Sequence, residues 1–314
     1  MRRTSVARIY EDNRERLGLS HLAGPLNVEV QVPNEKVWPA ELVGHLNIIH
    51  PNRIQVMGEA ELGWIRRQSR DKVQHQLESI LLAHPPAMIV ADGCEVPPLI
   101  QSAFESANVA IFTTSAESAR VIDSLRTYLA RNLAEKTSLH GVFMDVLGLG
   151  VLITGDSGAG KSELALELIS RGHGLVADDV VEVSRIAPGV LEGRCPPMLK
   201  DFLEVRGLGI LNIRTIFGET ACRRKMKLKL VVHLHRQIRG ESAQMSRLPL
   251  EDDMQDIVGV PTRRVTLPVA AGRNLAVLLE AAVRNTILQL RGIDSMQEFV
   301  DRQRSALEID EEDL

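Results

Sequence analysis

The 314 residues carry a formal net charge of −4, with 44% hydrophobic and 25% charged residues, the balance of an ordinary globular chain long enough for about two domains. The acidic balance argues against general nucleic-acid binding, and 3% aromatic residues leave little material for a base-stacking surface. Three scattered cysteines, Cys94, Cys195 and Cys222, exclude a disulfide framework or CxxC metal site and fit a reducing cytoplasm, and neither a signal peptide nor a membrane-spanning run of roughly 20 apolar residues is present.

In the first part of the chain, short apolar strands are expected at 27–32, 47–49 with 55–57, 88–91 and 109–113. Helical patterns at 60–83, 98–107 and 117–133 lie between them, which predicts an α/β domain with a mainly parallel sheet. The polar stretch AEKTSLHG, 134–141, reads as a linker. The domains are therefore expected at 1–132 and 133–314.

Beyond the linker, 142–146 and 151–154 read as strands joined by a tight turn. They deliver the chain into GDSGAGKS, residues 155–162, a complete GxxxxGK[ST] phosphate-binding loop followed by the helix-like ELALELIS. Gly155, Asp156, Ser157, Gly158, Ala159, Gly160, Lys161 and Ser162 are the candidate nucleotide contacts. The glycines let main-chain N–H groups fold around phosphate oxygens, while the helix presents its positive end. Lys161 would reach the terminal phosphates and Ser162 would ligate Mg²⁺.

A second metal ligand should be a carboxylate, and Glu163, Asp178 and Asp179 are near in sequence. LVADDVVEV, 175–183, reads as one buried strand carrying both aspartates, where a crossover brings them back beside the loop; two aspartates capping a turn is the competing reading. His140 precedes the strand pair that feeds the loop. EVRGLGI, 204–210, packs a carboxylate, a guanidinium and two glycines into a stretch without helix or strand period, which suits metal or phosphate contact as well as a plain salt-bridged turn. Residues 224–234 alternate lysine with apolar side chains, a strand with one charged face. A helix is expected over 274–290, and the acidic EIDEEDL reads as a frayed tail.

No NKxD base-reading motif and no LSGGQ-like segment occurs, so GTPase and ABC-type readings fall away. A small-metabolite kinase and an ATP-gated sensor without phosphoryl transfer remain open at this level.

Taken together, SLHG at 138–141, GDSGAGKS at 155–162, ADD at 177–179, EVRGLGI at 204–210 and PVAAGRN at 268–274 resemble the HPr kinase/phosphorylase family. That resemblance implies a bacterial enzyme that phosphorylates a serine of the phosphocarrier HPr, with ATP or pyrophosphate as donor, and removes it by phosphorolysis to pyrophosphate. It further implies a C-terminal P-loop kinase domain related to phosphoenolpyruvate carboxykinase, a homo-oligomer, commonly a hexamer, and a role in carbon metabolism or the sugar phosphotransferase system.

Carried over by motif, the active-site residues are His140, Lys161, Asp179 and Arg247. Ser162 and Glu204 would hold Mg²⁺, residues 204–213 would serve both reactions, and residues 268–273 would serve dephosphorylation. Many Gram-positive members read PVRPGRN where this chain has Ala270 and Ala271, a loss of one cation that bears on the phosphorylase direction.

Overall fold

The computed structural model describes residues 2–34, 37–236, 253–270 and 272–312. The chain divides into two compact units, Met1–Glu135 and Lys136–Leu314.

In the first unit the order is β1 (Arg3–Ser5), α1 (Val6–Leu17), β2 (Ser20–Ala23), β3 (Glu29–Gln31), β4 (Val43–His45), β5 (Ile54–Met57), α2 (Glu59–Ile65), α3 (Arg70–Leu81), β6 (Ala87–Val90), α4 (Pro98–Ser106), β7 (Ala110–Thr113) and α5 (Ser118–Asn132). The sheet runs β2-β7-β6-β5-β4 and is parallel except for β2. Strand side chains alternate between two cores. Val56, Ile89 and Phe112 meet α1 and α5, whereas Met57, Met88, Val90 and Ile111 meet α2, α3 and α4.

Several local expectations need correction here. Residues 47–49 form no strand; the edge strand is β4, whose Val43 is fully buried. The helix expected over 60–83 is broken after Ile65 and restarts at Arg70, which lets Leu62 and the Val73, Leu77, Ile80 stripe reach the same core. Helix α1 hides among dense charge because only Val6, Ile9, Asn13 and Leu17 are buried, a narrow seam at helical spacing.

The second unit continues with β8 (Glu135–His140), β9 (Val142–Val146), β10 (Leu149–Gly155), α6 (Lys161–Ser170), β11 (Gly174–Ala177), β12 (Val180–Ala187), β13 (Val190–Arg194), β14 (Phe202–Val205), β15 (Gly209–Asn212), α7 (Ile213–Phe217), β16 (Lys225–Arg236), β17 (Met254–Ile257), β18 (Val260–Val269), α8 (Leu275–Leu290) and α9 (Ser295–Glu312). The stretch expected as a linker is strand β8, at the edge beside β12. Residues 175–183 are split: Asp179 takes φ 63°, a left-handed conformation that Asp tolerates better than most, and the chain turns between β11 and β12. EVRGLGI forms the β14–β15 hairpin, and the acidic tail is helical through Glu312.

The main sheet has the path β11-β9-β10-β16-β13-β12-β8. One edge of β16 is shared: its first half pairs antiparallel with β13, its second half parallel with β18. Val142, Val151, Ile153, Val232 and Leu234 point to the face covered by α6, α8 and the β14–β15 hairpin. Phe143, Leu152 and Val231 point to the other, against β12 and β13. Phe143 packs on Gly193, where an added Cβ would meet the ring at 2.5 Å. Among the described residues no helix is long and apolar enough to cross a membrane.

Candidate active site

Strand β9 is antiparallel to both β10 and β11, so β10 and β11 run the same way with β9 between them. Strands β16 and β18 share that direction. Four parallel strands therefore end on one side of the sheet. They deliver the phosphate loop after β10, Asp178 and Asp179 after β11, Arg236 at the end of β16, and Val269 at the end of β18. The carboxyl ends of parallel strands are where α/β sheets place ligands.

The loop has the backbone its glycines predict. Gly155, Gly158 and Gly160 take φ 143°, 74° and 90°, and Gly155 sits so close to β16 that a Cβ would lie 2.6 Å from the Leu234 carbonyl. Leu164, Ala165, Leu168 and Ile169 bury one face of α6 and fix its N-terminal end against the loop. The Lys161 ammonium donates to the carbonyls of Gly155 at 2.8 Å and Asp156 at 2.9 Å, arching across the loop. Beneath it, Thr154 and His233 meet at 3.1 Å between β10 and β16. Burial and then the Arg264 charge hold His233 below the usual imidazole range.

A cleft of about 410 Å³ opens on this loop and brings together His140, Lys161, Ser162, Glu163, Asp178, Asp179, Glu204 and Arg206. The two aspartates part company. Asp178 is buried, and its carboxylate accepts the Glu204 N–H at 2.8 Å. Burial pushes its carboxyl above the usual aspartate range, against the pull of the Glu204 and Asp179 N–H groups it accepts. Asp179 faces the cleft, its side chain 76% exposed and 3.7 Å from His140 Nδ1, a separation too long for a hydrogen bond. The main chain joins them more firmly, since Gly141 N–H donates to the Asp179 carbonyl at 3.1 Å.

Glu204 and Ser162 line the same cleft and Glu204 is exposed. Among the described residues no group of three or more His, Cys, Asp or Glu could cage a metal ion. Mg²⁺ needs no such cage: it keeps water and phosphate oxygens and takes one or two protein ligands. The hydroxyl, carboxylate, ammonium and N–H cradle thus fit a Mg²⁺-polyphosphate.

A family model described as HPr Serine kinase C-terminal domain matches residues 131–303, and one described as HPr Serine kinase N terminus matches residues 4–129. The chain belongs to the HPr serine kinase family. It is 69% identical over 307 residues to the HPr kinase/phosphorylase of Azoarcus sp. (strain BH72), covering 98% of each chain. It is 67% identical over 308 residues to that of Aromatoleum aromaticum, again covering 98% of each. A solved structure of the Hpr(Ser) kinase/phosphatase from Coxiella burnetii is 34% identical, with TM-score 0.46, over 52% of this chain and 98% of that one.

For this family member, His140, Lys161, Ser162, Asp179 and Glu204 lie around one cleft. Arg247 and Ala271 fall outside the described residues. Two guanidinium groups flank Gly158, where a Cβ would lie 3.6 Å from Arg206 and 4.0 Å from Arg236. Arg236 donates to the Gly158 carbonyl at 2.9 Å. Sequence reading passed over Arg236 because it ends a long strand whose alternation explains its neighbours; the pairing of β16 beside β10 is the signal that would have found it.

Proposed function

We propose that the chain phosphorylates a serine of HPr from ATP and removes that phosphate by phosphorolysis. In the forward direction Asp179 accepts the proton of the serine hydroxyl as its oxygen bonds to the γ phosphorus and the bond to the departing ADP breaks. Lys161 and the loop N–H groups carry charge on the phosphates, and His140 lies beside Asp179 to orient it. Ser162 and Glu204 would hold Mg²⁺, which would supply neutralising charge on the phosphate oxygens. Arg247 is the further cation that the family resemblance assigns.

In reverse, an oxygen of inorganic phosphate bonds to the phosphoserine phosphorus. The serine oxygen leaves with a proton from Asp179, and pyrophosphate forms in the same cradle. Residues 204–213 serve both directions and 268–273 the phosphorolysis. Pyrophosphate is an alternative phosphoryl donor, the assembly is a homo-oligomer with a hexamer as the expected form, and the target regulates carbon metabolism or the phosphotransferase system. The division into an N-terminal domain and a catalytic domain near residue 133 belongs to the same reading.

The observation that carries this is the convergence of Lys161, Ser162, Asp179 and Glu204 on one cleft in a chain of this family. Incubation with ATP, Mg²⁺ and HPr should give seryl-phosphorylated HPr, and phosphoserine-HPr with phosphate should give pyrophosphate. Failure of both defeats the reading. The metabolite-kinase and sensor alternatives are not favoured, because neither calls for the family's full motif set.

A further inference from the structure

The first unit carries a recess of its own, about 420 Å³ in volume, between α2, α3 and the chain just after β4. Its floor is sealed, because Val73, Leu77 and Ile80 of α3 belong to the core on that face of the sheet and are almost fully buried. Its rim is apolar and open, with Ile48 55% and Trp64 41% exposed. We propose that this recess binds an uncharged small molecule with a flat apolar body and a hydrogen-bond acceptor. Its volume falls within the range of roughly 300–1,000 Å³ that small-molecule sites occupy, and its chemistry is independent of the phosphoryl transfer assigned to the second unit.

The walls are pre-formed. Buried Gln55 donates its amide to the carbonyls of His50, Pro51 and Arg53 at 3.0, 3.1 and 3.2 Å and accepts the Asn47 N–H at 3.0 Å. The Asn47 side chain in turn accepts the Ile49 N–H at 2.6 Å, so the segment that carries Ile48 to the rim is tied down on both sides. Among the described residues Glu61 is the only ionisable one that borders the recess, and its charge is already engaged. One carboxylate oxygen accepts the Gly58 N–H at 2.9 Å and the other meets His45 Nδ1 at 3.1 Å. What remains open is neutral: among the described residues the Trp64 indole N–H and the Gln76 side-chain amide have no protein hydrogen-bond partner. A ring laid on the indole face would shield Trp64 and Ile48 from water, and its acceptor would meet the indole N–H or the amide. A phosphate or carboxylate would find no cation in the lining and would face Glu61 instead. Enclosure by α2, α3 and the 46–48 segment suits a small molecule better than the flatter patch of a protein contact.

The chain has two tryptophans, Trp38 and Trp64, so in the full chain carrying Trp38→Phe the emission of Trp64 reports on the recess directly. The neutral fluorophore N-phenyl-1-naphthylamine should bind saturably and quench Trp64. Its 8-sulfonate, the same body with an added negative charge, should bind about fivefold more weakly or worse. Ala60 is exposed on α2 and borders the recess. Ala60→Phe should therefore fill the recess without disturbing the core and weaken the neutral probe about tenfold or more, whereas Ala60→Ser should stay within about threefold. Ile48→Glu puts a charge at the exposed rim without relying on bulk and should weaken the neutral probe about fivefold. Thermal unfolding midpoints near that of the parent protein identify the variants that are folded and can be read. The assignment is overturned if the neutral probe fails to quench Trp64, if the sulfonate binds as tightly, or if the filled and charged variants bind the neutral probe unchanged. It is equally overturned if Ala60→Phe lowers the mass of the assembly in sedimentation while the probe leaves Trp64 untouched, which would make the recess a contact between copies of this chain.

Discussion

The carboxylate of Asp178 and the main-chain N–H of Glu204 meet at 2.8 Å, tying the turn after β11 to the β14–β15 hairpin. Asp178 is 8% exposed, so it is spent on structure, while Glu204, held by its backbone, keeps its own side chain free to face the cleft. Asp178→Ala would leave a partly buried N–H without its acceptor, at a cost of about 1–3 kcal/mol, and would let the hairpin carrying Glu204 and Arg206 drift. The expected result is a lowered Tm together with a raised requirement for Mg²⁺. Asp178→Asn keeps an acceptor oxygen and should recover most of both, as thermal unfolding and a Mg²⁺ titration of the kinase rate will report. Loss of Tm with no change in the Mg²⁺ dependence would separate Asp178 from the metal site.

Asp179 stands in the opposite situation, exposed and facing the phosphate-loop cleft. Asp179→Asn preserves the size of the side chain and its tolerance of φ 63°, so the fold should persist. A base that takes the serine proton contributes about 10²–10⁴ in rate, and both the kinase and phosphorolysis rates should fall by a factor in that range. Near-normal rates in both directions would remove Asp179 from the chemistry.

Gly141 links His140 to Asp179 through its N–H and takes φ 154°. An added Cβ would lie 2.4 Å from the Ile153 carbonyl, which is backbone of the central strand β10 and cannot step aside. Gly141→Ala should therefore destabilise the protein by roughly 1–3 kcal/mol and lower activity by shifting His140. Comparing its unfolding midpoint and kcat with those of His140→Ala tells displacement from simple loss of the imidazole. Wild-type stability in Gly141→Ala would show that the close approach is not maintained in solution.

How much of this was legible in the residues depended on whether the signal was local. The phosphate loop was, because its glycine positions and Lys161–Ser162 pair are fixed by the shape of one turn, and the loop conformation agrees with them. The period-two alternation of Lys225, Lys227 and Lys229 against Met226, Leu228 and Leu230 likewise announced β16. The turn at Asp179 was legible only as the competing reading of two aspartates capping a turn, since an apolar run with two carboxylates inside it looks continuous until Asp178 is seen bonded to Glu204, 26 residues away. The role of Arg236 was hidden for the same reason: it follows from which strand lies beside β10, and strand order is a property of the whole sheet.

The last prediction concerns the support of α6 rather than its chemistry. His173, just beyond α6, is 8% exposed and meets Glu280 of α8 at 3.0 Å, with Arg171 at 3.8 Å and Arg284 at 3.6 Å from the same carboxylate. The His173 hydrogen bond, then the Arg171, His173 and Arg284 charges, hold the Glu280 carboxyl below its ordinary value of 4.5, with burial acting against them. A carboxyl lowered on folding contributes stability that is present above its unfolded value and is lost as pH falls through its folded one. Glu280→Gln should therefore cost about 1–3 kcal/mol near neutral pH, and the gap in Tm from wild type should close as the pH is lowered through 4.5 and beyond, where the wild-type carboxyl also becomes neutral. Thermal unfolding of the two proteins across that range checks the sign. A gap that stays constant with pH would mean that the shape of the side chain, and not its charge, joins α8 to the end of the phosphate-loop helix.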